Sequence, residues 1–195
     1  MDTNFWGVVD VSKRALAVMR DQNARSGQRG GVIANLSSIG GFIGFPGQSF
    51  YHASKFAVEG WTEAVAKELS PDWNIHLSII EPGGVKTEYA TGSLKANAHK
   101  HAAYADPSLG ANVMLGYITS EQGRAAWAEP SALAAAIYLV VSRGEPIPVR
   151  VPLGADAWGL ISKDVDDTKS GLEAVKDISV SVGEAKQLDS IKFLL

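Results

Sequence analysis

The sequence contains no cysteine among its 195 residues. A disulfide framework and a cysteine-based zinc site are therefore both excluded. Its 18 lysine and arginine residues are nearly balanced by 21 aspartate and glutamate residues, which gives a formal net charge of -3. The sequence has no basic block that could follow the phosphates of a nucleic acid, so we do not expect nucleic acid as a partner.

Long apolar runs are also missing. The longest, from 132 to 141, is about half of the ~20 residues that a helix needs to cross a bilayer, and no membrane partner is expected. The first seven residues have no basic region followed by an apolar one, so a secretory signal is not predicted. We therefore predict a cytoplasmic protein.

Helices and strands alternate along the chain. The apolar pattern and the helix and strand breakers predict helices over 3–22, 50–69 and 130–142 and strands over 32–36, 75–80 and 147–151. The first strand is apolar enough to be buried on both faces, while Pro148 and Pro152 place the last strand near a sheet edge. This alternation, in a chain of one-domain length, predicts an α/β fold with a doubly wound parallel sheet.

The helix over 50–69 has two recognisable features. Ser49 is predicted to cap it, and a row of small residues is predicted to lie against the sheet, namely Ala53, Ala57, Gly60 and Ala64. Phe56 and Trp61 widen its apolar surface, which indicates that a second subunit covers another side.

Two segments lack a clear place in the sheet. Residues 86–130 are too long for a simple connection and are predicted to form a substrate lid that is partly helical. The apolar positions of 154–195 predict a helical extension after the last strand.

Ser37 and Ser38 end the first strand, a Gly-rich loop follows, and Tyr51 and Lys55 stand four residues apart at the next helix start. A free tyrosine has a pKa of about 10 and is a poor base at neutral pH. The charge of Lys55, one turn away, and the helix dipole both favour the phenolate. Such a tyrosine can exchange a proton with an alcohol while a serine holds the substrate oxygen. The same spacing also occurs by chance in exposed helix pairs.

The run from Asn35 to Lys55 resembles the active-site region of the short-chain dehydrogenase/reductase family. In that family a serine stands thirteen residues before the catalytic tyrosine, a spacing that Ser38 meets and Ser37 does not. The resemblance implies that Tyr51 is the general acid/base and that Ser38 orients the substrate. It also implies that Lys55 binds the nicotinamide ribose and stabilises the anion of the tyrosine.

Two shorter motifs are similar to motifs of the same family. Asn4-Phe-Trp-Gly7 resembles an Asn-x-x-Gly motif whose asparagine supports a proton relay, so Asn4 is a fourth catalytic candidate; a polar residue in a first helical turn explains it equally well. The run from Glu81 to Thr87 resembles a Pro-Gly motif that contacts the cofactor. The implied cofactor-binding residues are Tyr51, Lys55, Pro82, Gly83, Val85 and Thr87.

The resemblance implies a partial Rossmann-like sheet, because the family opens with a strand, a Gly-rich turn and a helix that hold the cofactor pyrophosphate. The loop 40–44 lacks the Gly-x-Gly start of such a turn. We expect a truncated gene model or fragment; a natural short form and a protein that borrows the missing half from a partner are the alternatives. NAD or NADP is the implied cofactor, and tight binding by this chain alone is not expected.

Other kinds of site are weakly represented. Gly47-Gln-Ser49 begins like the nucleophile turn of a serine hydrolase, but Tyr51 stands where the closing glycine is needed. His99 and His101 could belong to a metal site, although solvated loop residues are the better interpretation.

The predicted function is that of an NAD(P)-dependent oxidoreductase that interconverts a secondary alcohol and a ketone. The resemblance also implies a homo-oligomer formed through the helices near 3–22 and 50–69. The alternative is an inactive short form that acts as an oligomerising interaction protein.

Overall fold

The computed structural model describes residues 1–95, 101–184 and 186–194. Its three strands are β1 (Gly31–Leu36), β2 (Ile75–Pro82) and β3 (Arg150–Leu153), which form one sheet in the order β1-β2-β3. Both pairs are parallel, with Gly31 opposite Ile75 and Ile79 opposite Arg150. The predicted α/β class and parallel sheet are confirmed.

The other regular elements are helices. In chain order they are α1 (Gly7–Ala17), α2 (Asn23–Ser26), α3 (Ser49–Glu68), α4 (Gly110–Thr119), α5 (Glu121–Arg124), α6 (Pro130–Ser142), α7 (Ala155–Ala174), α8 (Lys176–Ser181) and α9 (Lys186–Ser190). π-helical turns at Asp2–Trp6 and Val18–Gln22 make the first helical stretch continuous to Ser26, where Gly27 ends it with a φ of 80°. None of the helices in the described part of the chain combines the length and apolar character that a membrane crossing needs.

The first helical stretch and α3 cover the same face of the sheet. Ile33, Ile75 and Leu77 form the buried core there, and Leu16 and Val65 pack against them from the two helices. Polar side chains extend this contact. Ser12 Oγ donates to Asn35 Oδ1 at 3.0 Å, and Asn35 Nδ2 donates to Thr62 Oγ1 at 3.0 Å. Asn35 thus ties β1 to both helices.

The prediction that the first strand is buried on both faces is wrong. Ala34 and Leu36 are exposed, Leu36 to 52%, so β1 is not buried on both faces. The expectation holds for the central strand β2, in which every residue except His76 is buried. The difference arises because β1 lies at an edge of the sheet.

Two predictions about helix α3, its cap and the face that meets the sheet, are also wrong. Ser49 is its first residue rather than its cap, and Gln48 precedes it without a side-chain capping bond. The row of small residues does not face the sheet, because Ala53 and Gly60 are exposed. The buried face carries mainly polar residues instead, namely His52, Ser54, Val58, Glu59 and Thr62.

The last strand begins later than predicted. Pro148 and Val149 bond to β2 through their carbonyl oxygens, which accept from Ser78 Oγ at 2.8 Å and from the Ile79 amide at 2.6 Å. Regular pairing therefore starts at Arg150. The predicted helix over 130–142 is confirmed as α6, and the predicted helical character of the residues after 154 is confirmed by α7, α8 and α9.

Candidate active site

A cleft of about 560 Å³ opens at the carboxyl ends of β1 and β2. This is the edge where parallel α/β sheets bind ligands. All eight residues singled out from the sequence line it: Asn4, Ser38, Tyr51, Lys55, Pro82, Gly83, Val85 and Thr87. The fold thus brings together residues that are up to 83 positions apart, from Asn4 to Thr87.

Ser38 lies in extended backbone two residues after β1, and its Oγ accepts a hydrogen bond of 3.1 Å from the Gly40 amide. The loop beyond it is held by His52, a residue that the sequence analysis missed. His52 Nε2 accepts from the Phe45 amide at 3.0 Å, and Nδ1 lies 2.7 Å from the Gly40 carbonyl oxygen. His52 is therefore the neutral tautomer with its proton on Nδ1, and it fixes the loop between Ser38 and α3.

Tyr51 and Lys55 lie in the first two turns of α3, as predicted. Lys55 Nζ donates to the Leu36 carbonyl oxygen at 2.8 Å and lies 6.0 Å from the centre of the Tyr51 ring. Burial lowers the pKa of Lys55, and the negative charge of Glu59 one turn further along opposes this effect.

Asn4 reaches the same helix from the first helical stretch. Its Nδ2 donates to Ser54 Oγ at 3.1 Å, and Ser54 Oγ donates in turn to the Tyr51 carbonyl oxygen at 2.7 Å. Asn4 therefore supports the backbone of the turn that carries Tyr51.

The Pro-Gly turn after β2 is held by Asp156, which the sequence analysis also missed. The Gly84 amide donates to Asp156 Oδ2 at 2.7 Å, and Gly83 leaves room for the same carboxylate, because a Cβ on it would overlap that group. Asp156 stands near the start of α7, so only the folded chain brings it to this turn.

Val85 forms a parallel bridge with Ala128 at the base of the segment 86–130. Ala128 provides both hydrogen bonds, accepting from the Lys86 amide and donating to the Gly84 carbonyl oxygen, each at 2.9 Å. The peptide groups of Val85 itself consequently point away from Ala128. Thr87, two residues on, is exposed, and its Oγ1 accepts from the Tyr89 amide at 3.4 Å.

The predicted lid segment supplies a wall of the cleft. Its lining residues are mostly large and apolar or aromatic: Tyr89, Met114, Tyr117, Ile118 and Trp127. Trp127 Nε1 donates to the Tyr117 hydroxyl at 2.9 Å, and Gly47 brings the Gly-rich loop close to Ala111 of α4. Burial raises the pKa of Tyr89, and the nearby Tyr51 adds to this effect.

A cluster of charged residues lies beneath the cleft, and the sequence analysis gave no sign of it. Arg150 donates to Glu59 at 2.6 Å, to Glu81 at 2.8 Å and to Glu63 at 3.1 Å. Burial raises the pKa of Glu81 from 4.5 to about 7, and the neighbouring Glu59 contributes, against the opposing effect of Arg150. Burial lowers the pKa of Arg150, but its hydrogen bonds to the three carboxylates outweigh this and raise it.

The two histidines considered for a metal site do not meet in a described site. His99 lies outside the described residues, and His101 Nδ1 accepts from the Ala103 amide at 3.1 Å in a short helical turn. Within 1–95, 101–184 and 186–194, no group of three histidine or acidic residues is arranged to hold a metal ion.

Comparison with known sequences identifies relatives along most of the chain. The sequence model of the family described as short chain dehydrogenase matches residues 1–98. Oxidoreductase calM of Penicillium decumbens is 44% identical over 178 residues, which cover 91% of this chain and 57% of the relative. The 3-ketodihydrosphingosine reductase of Bacteroides thetaiotaomicron is 39% identical over 164 residues, covering 84% of this chain and 56% of the relative. The chain thus spans less than two thirds of the length of either relative.

Solved structures show the same architecture. A short-chain dehydrogenase from Streptomyces avermitilis matches with a TM-score of 0.70 at 26% identity, covering 93% of this chain and 60% of that one. Two neighbours at 19% identity support the fold alone. The one from Burkholderia cenocepacia, in complex with NADP, has a TM-score of 0.51 and covers 90% of this chain and 56% of that one. The one from Burkholderia phymatum, in complex with NAD, has a TM-score of 0.58 and covers 81% of this chain and 53% of that one. With the family's sequence model matching 98 of the 195 residues, this chain belongs to the short-chain dehydrogenase family.

Proposed function

We propose that this chain carries the acid/base half of an oxidoreductase that interconverts a secondary alcohol and a ketone. The observation that carries the proposal is the meeting of Ser38, Tyr51 and Lys55 in one cleft, with the Lys55 ammonium 6.0 Å from the Tyr51 ring. Sequence relatives named oxidoreductases and reductases support it.

The residues divide the work according to their hydrogen bonds. Ser38 Oγ accepts from a backbone amide, so its own proton is available to donate to the substrate oxygen. Tyr51 exchanges a proton with that oxygen as the alcohol is oxidised or the ketone reduced. Lys55 holds its ammonium close to the Tyr51 ring, where a positive charge stabilises the negative charge that develops during the transfer.

NAD or NADP is the cofactor that we propose, and a bound nicotinamide supplies or accepts the hydride. The cleft fits the nicotinamide end, because Val85 lines it and the peptide groups of Val85, which point away from Ala128, make no hydrogen bond to any described residue. Lys55 and Tyr51 would hold the ribose hydroxyls, while Pro82, Gly83 and Thr87 would shape the rest of this subsite. The sequence contains no Gly-x-Gly, so we assign it no pyrophosphate site of that type.

We further propose that residues 1–195 form one domain, in which 86–130 is the substrate lid and 154–195 a helical extension. The lid contributes apolar and aromatic side chains to the cleft. A small, predominantly apolar alcohol or ketone suits this lining.

Replacing Tyr51 by phenylalanine tests the proposed function. The chain is assayed alone and joined to the part of the Penicillium relative that lies outside the match, with panels of secondary alcohols and ketones and both nicotinamide cofactors. In the joined protein Tyr51→Phe should lower kcat by about 100- to 10,000-fold, the usual contribution of a general acid/base. Tyr138→Phe is the matched control, since Tyr138 lies on α6, is 71% exposed and does not line the cleft. A Tyr51→Phe protein that keeps full turnover would refute the assignment.

A second proposal concerns assembly. We propose that the first helical stretch and α3 pair with a second copy of the chain, because large apolar side chains stand on their outer surface. Trp6 is 55% exposed, Phe50 90% and Phe56 46%, beside the exposed Ala53 and Gly60, whereas Trp61 is half-buried. An inactive interaction protein would use the same surface to oligomerise. The turnover assay distinguishes this alternative from an active enzyme.

A further inference from the structure

Helix α3 carries titratable residues four positions apart, so that each lies one turn from the next. In order they are Tyr51, Lys55, Glu59, Glu63 and Lys67. Neighbours at this spacing interact across the helix surface. Glu59 is therefore the carboxylate next to Lys55, as Tyr51 is the phenol next to it.

Both oxygens of Glu59 are held from outside the helix. Its Oε1 accepts from the Ser37 hydroxyl at 2.7 Å, and its Oε2 accepts from Arg150 Nη1 at 2.6 Å. The side chain is 3% exposed. Ser37 comes from the residue after β1 and Arg150 from β3, so the position of this carboxylate is set by the sheet.

The loop above the cluster is shaped to admit Glu59. A Cβ at Gly41 would overlap both Glu59 Oε1 and Ser37 Oγ, so glycine is needed there for close approach. The Arg150 guanidinium also lies 5.2 Å from the centre of the Phe42 ring in the same loop. The segment that carries Ser38 therefore rests on the Glu59–Arg150 ion pair.

Lys55 needs a compensating negative charge. It is half-buried, and burial favours its neutral form, whereas its proposed work requires the ammonium. We propose that Glu59 is a positioning residue for the cleft: held by Ser37 and Arg150, its carboxylate keeps Lys55 protonated beside Tyr51. The electrostatic link stands independently of turnover; only its catalytic consequence rests on the proposed function.

Other charged and titratable groups lie near this pair. Glu81 of β2 and Arg150 of β3 face Glu59, together with Glu63 of its own helix. Those that line the cleft with Lys55 are Tyr51, His52, Tyr89, Tyr117 and Asp156. All of these residues are retained in the Glu59 variant. The pKa of Glu81 falls when Glu59 is neutral, so the Lys55 titration is compared above about pH 7, where Glu81 is ionised in both proteins.

The test measures the Lys55 titration directly in the 195-residue chain. Lysine amines are labelled by reductive methylation with ¹³C and followed by NMR, with the Lys55 signal identified through Lys55→Arg. Glu59→Gln, which keeps the shape of the side chain, should lower the Lys55 midpoint by about one pH unit. Glu63→Gln is the matched control: it removes the same charge one turn further away and should lower the midpoint by at most about 0.3 pH unit. Equal shifts in the two variants, or none in Glu59→Gln, would overturn the proposal.

Reciprocal coupling provides a second measurement that does not need a folded Glu59 variant. If Glu59 stabilises the ammonium of Lys55, then Lys55 stabilises the carboxylate of Glu59 to the same extent. Lys55→Met should therefore raise the apparent midpoint of the Glu59–Glu81 pair, followed through ¹³C-labelled glutamate carboxyl groups. An unchanged midpoint contradicts the link.

Turnover of the joined protein adds the catalytic consequence. In the pH profile of kcat, the decrease at alkaline pH should begin at a lower pH in Glu59→Gln than in the unsubstituted protein, because Lys55 loses its proton at a lower pH. A titration shift without this change would confine the role of Glu59 to electrostatics; absent turnover in the unsubstituted protein would instead count against the proposed function and leave the titration result standing.

Discussion

Glu81 is a buried carboxyl group at the end of β2, 1% exposed, with a pKa raised from 4.5 to about 7 by burial and by Glu59. A carboxyl group with a higher pKa in the folded chain than in the unfolded chain binds its proton more tightly when folded. The free energy of unfolding should therefore fall as the pH rises from 4.5 to about 7 and change little through this group above that.

Glu81→Gln should remove this part of the pH dependence, because glutamine does not titrate. Urea unfolding of both proteins across this pH range measures the slope. Glu129→Gln serves as the control, since Glu129 is 61% exposed in an ion pair with Lys86 and should leave the slope unchanged. A slope that persists in Glu81→Gln would mean that another group holds the proton.

Single residues differ in how far the sequence predicts them. Ser38, Tyr51 and Lys55 could be predicted to lie together, because all three belong to one strand-loop-helix unit that the fold keeps. Glu59 and Arg150 are 91 positions apart and meet only because β3 pairs with β2 in a particular register. Their ion pair has no local signature, so sequence reasoning missed it.

At the level of elements, the loop between β1 and α3 depends on close contact with the helix. Gly41→Ala places a methyl group against Glu59 and Ser37 and should reduce the free energy of unfolding by about 1–3 kcal/mol through overpacking. Gly44→Ala is the control in the same loop, because a Cβ there meets no atom within 4 Å. Its effect should stay within about 1 kcal/mol and favour stability. Urea unfolding measures both variants, and equal effects would contradict the packing argument.

Element types were predicted better than element faces. Each predicted helix and strand is present, since hydrophobic periodicity and the Gly and Pro breakers specify local structure. The face of α3 that meets the sheet was assigned wrongly, because small residues were expected to permit close packing there. The sheet instead receives hydrogen-bonded polar side chains such as Thr62, which bonds to Asn35. Periodicity does not distinguish a buried polar face from an exposed one.

For the whole molecule, the proposed assembly is testable by size. Phe56→Ser should shift the chain toward the monomer, because it removes an exposed aromatic side chain from the proposed contact. Sedimentation velocity over a range of concentrations measures the change. Tyr138→Ser is the control on α6, where the side chain is 71% exposed and lies outside the proposed contact. Equal behaviour of the two variants would reject α3 as the contact.

The parallel sheet and the edge that carries the cleft could be inferred for the molecule as a whole, since alternating elements and parallel strands bring their carboxyl ends to one edge. The arrangement of the predicted lid segment, residues 86–130, could not be inferred from the sequence. Tyr89 and Trp127 reach the cleft from opposite ends of the segment 86–130, and Trp127 is held there by its hydrogen bond to Tyr117, a contact that local periodicity does not predict.

The bridge between Val85 and Ala128 has a consequence for divergence within the family. It closes the base of the proposed lid with two backbone hydrogen bonds. Their amide donors are Lys86 and Ala128, so any residue except proline can form them at these two positions. Insertions and substitutions between these positions can therefore remodel the wall of the cleft while the end of β2 stays in place. Substrate range would thus be free to change separately from the proposed acid/base site, and exchanging this segment between relatives would transfer it.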